Sequence, residues 1–247
     1  MALKCSSIEE FLLMRSFKGA MMSRITEAQK KIIEDAWEGD LNQDFLKVFE
    51  FGILTVSSEN PRGAFSGKGD IDENFIRKAV KSYQADKIKE ISLKDVNTKS
   101  DSAVERIAVA AGKISEEHIE KASENHRWLM QSENVLGVLL EKYIDSKISK
   151  QGWLWCAGSF IKAVDFIYPL ESGEYKILQI KNSSNSENSS SSAIRDGTEI
   201  EKWFRRYATT GKYNWDALNK MIEEATGEDP GFQESDFMDF INKTLTK

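Results

Sequence analysis

Apolar residues recur at helical spacing along the first fifty positions, as in Ile25, Ile32, Ile33, Ala36 and Trp37, then Phe45, Leu46, Val48 and Phe49. That spacing predicts two or three helices. The stretch SSENPRGAFSGKGD, residues 57–70, has the Gly, Pro and Ser density of a loop, and residues 71–123 return to a helical pattern with charged outer faces and Ser/Asn breaks near 97–102. The strongest helix signal lies in residues 125–153, where Val135, Leu136, Leu139, Leu140, Tyr143 and Ile144 form an apolar stripe that Gly152 stops. WLWCAGSFIKAVDFIY and YKILQIKN follow as β-rich runs, and the PLESGE between them holds a Pro169 and a Gly173 that suit a hairpin connection. Beyond a serine and asparagine run, AIRDGTEIEKWFRRYATTGKYNWDALNKMIEEA predicts one or two helices, the first beginning near DGTEIEK with Trp203 and Tyr207 one turn apart in the core. The tail DPGFQESDFMDFINKTL closes with a further short helix.

This order predicts a mostly helical region over residues 1–120 and, over 121–247, an α/β unit with a helix beside an antiparallel meander. A chain of 247 residues, 40% of them apolar, can fill a real core. In the opening MALKCSSIEEFLLMRSFKGAMM, residues Glu9, Glu10, Arg15 and Lys18 interrupt the apolar positions, so neither a signal segment nor a membrane span is expected, and a cytoplasmic location is. Cys5 and Cys156 cannot build a disulfide framework and have no zinc-like spacing. A net charge of -6 argues against indiscriminate coating of nucleic acid. From Gln151 to Trp215, however, eight basic residues stand against seven acidic ones, a local balance that permits a DNA-facing surface.

Within the hairpin, Asp165 lies in an apolar run, and strand alternation places Gln179 and Lys181 on one face with Ile180 pointing into the core. A carboxylate, an amide oxygen and an ammonium are thereby gathered near one end of the sheet. On the preceding helix Glu133, Gly137 and Glu141 share a face, and the small Gly137 is expected to let that helix approach the sheet closely. The GKGD at 67–70 lacks the spacing of a phosphate-binding P-loop. His118 and His126 form no metal-binding array, and no nucleophile elbow, dinucleotide fingerprint or kinase motif occurs.

A helix carrying Glu141, followed by strands bearing Asp165 and Gln179-Ile180-Lys181, resembles the PD-(D/E)xK nuclease superfamily. The continuation QIKNSSNSENSSSSAIRDGTEIEKWFRRY is similar to the SinI-type restriction endonucleases, and the resemblance spans about residues 125–215. It implies a restriction-endonuclease-like α/β core, a mixed β-sheet flanked by helices. The implied activity is that of a type II enzyme, hydrolysing double-stranded DNA with Mg²⁺ at a short, near-palindromic GGWCC-like site and leaving 5′-phosphate and 3′-hydroxyl ends. The implied partners are a second copy of the chain and, genetically, a cognate DNA methyltransferase. Asp165, the Gln179 side chain, the Ile180 carbonyl and Glu141 would hold the metal, with Glu133 the alternative helix carboxylate, and Lys181 would orient the water. Asn182, Ser183, Asn185, Asn188 and Ser189 would contact DNA, and Arg195, Lys202, Arg205 and Arg206 would reach its backbone or guanine edges. The sequence departs from the superfamily pattern at Gln179, where an acid is usual, and at Val164, where proline often stands. Three alternatives stay open: the Ser/Asn run as a plain linker, a non-cutting DNA-binding or interaction domain suggested by Gln179, and a repair or resolvase nuclease.

Overall fold

The computed structural model describes residues 25–91, 101–184 and 200–245. Three helices come first: α1 (Glu27–Ala36), α2 (Gln43–Leu54) and α3 (Glu73–Ile88). Each starts where a short polar side chain, Thr26, Asn42 or Asp72, accepts an otherwise unpaired backbone N–H of the first turn. The nine-residue α4 (Ser102–Ala110) buries none of its residues. The long α5 (Ile119–Ile148) opens six residues earlier than the predicted stretch and ends, after a 3₁₀ turn, at Gly152 with φ +92°.

Four strands form one mixed sheet in the order β1 (Leu154–Trp155), β2 (Phe166–Pro169), β3 (Tyr175–Ser183) and β4 (Ile200–Arg206). The first three form the expected antiparallel meander, with Gly173 at φ +84° in the β2–β3 turn. β4 then adds parallel to β3. This corrects the reading of residues 200–206 as the start of a helix. The stretch extends the sheet, pairing Gln179 with Lys202, Lys181 with Phe204 and Ser183 with Arg206. The apolar residues Trp203, Phe204 and Tyr207 fit helical spacing, but a tertiary partner, the free edge of β3, overrides that local pattern. As a result Trp203 is buried while Tyr207 stays 41% exposed rather than entering the core. The chain closes with α6 (Trp215–Thr226) and α7 (Glu234–Leu245), as the apolar spacing near the end predicts.

Both sheet faces are covered. On one side Phe51 of α2 meets Tyr175 of β3, with ring centroids 5.2 Å apart. On the other, Trp203 packs on Trp215 of α6 at 5.0 Å, and Tyr143 of α5 touches Trp215, Phe232, Phe237 and Phe240. A single hydrophobic core runs from Ile33 of α1 to Phe237 of α7 and crosses the boundary near residue 120. Among the described residues no helix is long and apolar enough to cross a membrane.

Two glycines behave differently from each other. Gly63, at φ +52°, lies so close to Thr55 that a Cβ there would come within 2.2 Å of Oγ1 and 2.5 Å of the backbone carbon. Thr55 is itself committed, donating to the Gly52 carbonyl and accepting from the Ala64 N–H. Gly137, expected to bring α5 close to the sheet, has nothing within 4 Å of a built Cβ, so the approach of helix and sheet does not depend on it. Gly63→Ala should therefore cost about 2–4 kcal/mol in stability. Gly137→Ala should gain about 0.5–1 kcal/mol from helix propensity alone. Urea unfolding of the two variants checks both signs.

Candidate active site

The chemistry gathers where β2 begins beside β3. Asp165, one residue ahead of β2, still takes part in the ladder: its N–H donates to the Leu178 carbonyl at 3.0 Å and its carbonyl accepts the Cys156 N–H at 2.9 Å. Its side chain then does what a further backbone carbonyl would have done. Asp165 Oδ2 accepts the Ile180 N–H at 2.7 Å, which fixes the carboxylate against the strand that carries Gln179 and Lys181. The turn leading in holds Ala163 at φ +54°, the one described non-glycine residue with positive φ. A left-handed alanine costs about 1–2 kcal/mol, and such strain concentrates at functional sites.

Glu141 of α5 approaches from the helix side. The indole N–H of Trp155 on β1 donates to Glu141 Oε2 at 2.9 Å, and the Lys87 and Lys142 ammonium groups lie 4.8 and 5.5 Å from the Trp155 ring centroid. Burial, and then the neighbouring Asp165 charge, push the Glu141 carboxyl up to about 7, against weaker opposing pulls from Trp155 and Lys181. Burial likewise pushes the Asp165 carboxyl up, while the Ile180 N–H and the Lys181 charge hold it down. Both residues keep some accessible surface. The site is thus largely stripped of water yet reachable. The buried Cys156 thiol is pushed well above its ordinary range by burial and by the same two carboxylates, so it is an unreactive neighbour.

Of the residues singled out in the sequence, Asp165, Glu141 and Lys181 interact with one another, and Gln179 lies buried on the strand beside them. Glu133 is exposed two turns away on α5, which leaves Glu141 as the helix carboxylate of this cluster. Among the described residues no group of three or more His, Cys, Asp or Glu side chains is arranged to hold a metal ion. The oxygen donors at hand are two carboxylates, the Gln179 amide and the Ile180 carbonyl.

Lys202 and Arg206 are exposed, and pairing in register puts them on the face that bears Gln179, Lys181 and Ser183. Arg205 points the opposite way and is 8% exposed. Its Nη1 pairs with Glu234 Oε1 at 2.5 Å and its Nε donates to Asn182 Oδ1 at 2.9 Å, while Trp215 Nε1 donates to the other Glu234 oxygen. Arg205 and Asn182 are therefore joined in an internal brace, where the sequence reading set both against DNA. Asn185, Asn188, Ser189 and Arg195 lie outside the described residues. Sequence reasoning missed Trp155, Ala163 and the Arg205–Glu234 pair. The WLW run offered a signal for the first only in hindsight of a partner carboxylate, since a tryptophan there reads equally as core.

The sequence profile of the SinI restriction endonuclease family matches residues 29–247. The chain is 41% identical over 151 residues to the type II restriction enzyme Eco47I of Escherichia coli, a match covering 61% of this chain and 64% of that enzyme. It is 37% identical over 214 residues to the type II restriction enzyme SinI of Salmonella infantis, covering 84% of this chain and 89% of that one. The profile takes in the helix, the strands and the carboxylate–lysine cluster together, and with this coverage the chain belongs to the SinI restriction endonuclease family.

Proposed function

We propose that the protein is a type II site-specific deoxyribonuclease that hydrolyses duplex DNA at the cluster of Asp165, Glu141, Gln179 and Lys181. The observation that carries this reading is the placement of the Asp165 carboxylate on the Ile180 N–H, beside Glu141 and under the Lys181 charge. Two neighbouring carboxylates raised by burial, with an amide and a carbonyl oxygen alongside, fit a hard divalent cation such as Mg²⁺. Bound there, such an ion supplies Lewis-acid polarisation of the scissile phosphate and acidity to the attacking water.

The chain's own residues do the rest. Lys181 holds the water in line and offers positive charge to the phosphate as negative charge builds on its oxygens. The water oxygen forms its bond to phosphorus as the P–O3′ bond breaks, which leaves a 5′-phosphate and, once protonated, a 3′-hydroxyl. Trp155 keeps Glu141 turned toward Asp165. Lys202, Arg206 and Ser183, which share the face of Lys181, meet the DNA, and the Ser/Asn run read from the sequence contributes specificity for the near-palindromic GGWCC-like site that the family resemblance implies. A site of that symmetry is most simply read by two copies of the chain about a two-fold axis. The Gln179 amide in place of an acid is the feature that favours a second reading, a DNA-binding protein that does not cut.

Incubation with plasmid DNA and Mg²⁺ separates the two: discrete fragments support the nuclease, and intact plasmid with retained binding supports the second reading. Lys181→Ala should lower cleavage by at least about a hundredfold, since it removes a group used chiefly in the transition state, while specific DNA binding persists. Cleavage at near wild-type rate would place the chemistry elsewhere.

Stability should move in the opposite direction to activity at the carboxylates. The folded pKa values of Asp165 and Glu141 are raised from 3.8 and 4.5 to about 6 and about 7, so the folded state binds protons more tightly than the unfolded chain. Stability from these groups is fullest below pH 4 and falls as pH rises through that window. Asp165→Asn and Glu141→Gln remove this cost and should each raise stability at pH 7.5 by about 1–2 kcal/mol while abolishing cleavage, with the gain shrinking below about pH 5. Denaturant titrations at the two pH values read the effect, and a loss of stability at pH 7.5 would contradict the buried-carboxylate geometry.

A further inference from the structure

Beyond β4 the chain does not leave the sheet at once. Arg206 and Tyr213 form an antiparallel bridge, the Tyr207 N–H donates to the Lys212 carbonyl at 2.9 Å, and the Gly211 N–H donates to the Tyr207 carbonyl at 2.8 Å. Gly211 takes φ +71°, the left-handed conformation that lets so short a turn close. Residues 207–213 are therefore a tight, hydrogen-bonded projection of the strand end. It is anchored on both sides. The Ala208 N–H donates to Ser184 Oγ and the Ser184 N–H to the Arg206 carbonyl, while the Tyr213 ring lies 5.3 Å from the Arg205 guanidinium of the buried brace.

The surface of this projection is polar and basic. Thr209, Thr210 and Lys212 are exposed, and Tyr207 and Tyr213 are 41% and 50% exposed. From Lys202 to Trp215 the sequence holds four basic residues and no acidic one, in a chain whose net charge is -6. One of the four, Arg205, is committed inside, which leaves Lys202, Arg206 and Lys212 facing solvent. The parallel register places Arg206 one strand over from Lys181 and two residues further along the same face. That is a rise of about 7 Å. Along one DNA strand it corresponds to roughly two steps of about 3.4 Å.

We infer that the 207–213 turn is a DNA-binding element, which grips the phosphate backbone next to the scissile bond through Lys212, beside Arg206 at the end of β4, and lays Tyr207 against the sugar-phosphate edge. The inference rests on the nuclease reading above and adds to it a contact site beyond the end of β4. Phosphate-directed contacts set register along the duplex without reading sequence. A rigid turn tied to Ser184 transmits that register directly to the strand bearing Lys181. The turn is thus a positioning clamp for the scissile phosphate, and its two hydroxyl-bearing threonines suit the same backbone.

The test is the salt dependence of binding to a fluorescent thirty-base-pair duplex, measured by anisotropy without divalent ion between 50 and 200 mM salt. Each lost phosphate contact should shallow the log–log slope by about 0.9. Lys212→Ala and Arg206→Ala should each do so, and the double variant should lose about twice as much. Tyr207→Ala should weaken binding several-fold with the slope unchanged, because it removes contact without charge. Lys220→Ala, an exposed lysine of α6 beside Glu224, is the charge-matched control and should leave the slope as in wild type. Thermal melts confirm that each variant remains folded. A Lys212→Ala slope that matches the Lys220→Ala control, with the double variant no shallower than Arg206→Ala alone, overturns the inference, even while wild-type protein binds and cuts DNA. A wild-type protein that neither binds nor cuts duplex DNA overturns the nuclease reading instead.

Discussion

The hydrogen bond from the Ile180 N–H to the Asp165 carboxylate is the contact on which the rest of the site depends. It lets a side chain extend by one step the ladder that the Asp165 backbone already shares with Leu178, so one residue serves the sheet with both its backbone and its carboxylate. Because the acceptor is a charge in largely dehydrated surroundings, this contact is strong, and it also draws the carboxylate out of water. Glu141, fixed by the Trp155 indole, brings a second charge into the same space. The arrangement is costly for the folded chain, and the left-handed Ala163 just upstream adds to that cost. The surrounding core, continuous from α1 to α7, is what sustains it.

The legible part of the fold was the part written in local periodicity. The α5 stripe, its glycine stop, the β2–β3 hairpin and the C-terminal helices all follow from spacing that one element imposes on itself. β4 was not legible in this way. Its apolar positions follow helical intervals, and only the edge of β3, which pairs with it residue for residue, turns the stretch into a strand. The Gly137 expectation failed for a related reason: Leu140, Tyr143 and Ile144 are among the residues α5 commits to the core, and a glycine matters only where something stands opposite it.

For the candidate site, alternation along a strand was enough to place Gln179 and Lys181 on one face and to set Ile180 in the core. Glu141 was one of two carboxylates on the helix that spacing could not tell apart. Trp155 separates them, because its indole N–H has its partner at Glu141 while Glu133 stands exposed two turns away. Arg205 shows the limit from the other direction. Composition marked it as one more DNA-facing cation beside Arg206, but adjacent residues of a strand face opposite sides, and Arg205 turned inward to Glu234 and Asn182.

That inward turn has a consequence for the order in which the protein is made. Glu234 opens α7, twenty-nine positions after Arg205. While a ribosome still holds Glu234, the guanidinium lacks its counter-ion, and seating it beneath the sheet would leave a charge unpaired in dehydrated surroundings. Full stability of β4 against β3 therefore waits until α7 has emerged. A nascent chain that stops short of α7 leaves the Arg205 side of β4 unbraced, so this ion pair ties one edge of the sheet to a helix made well after it.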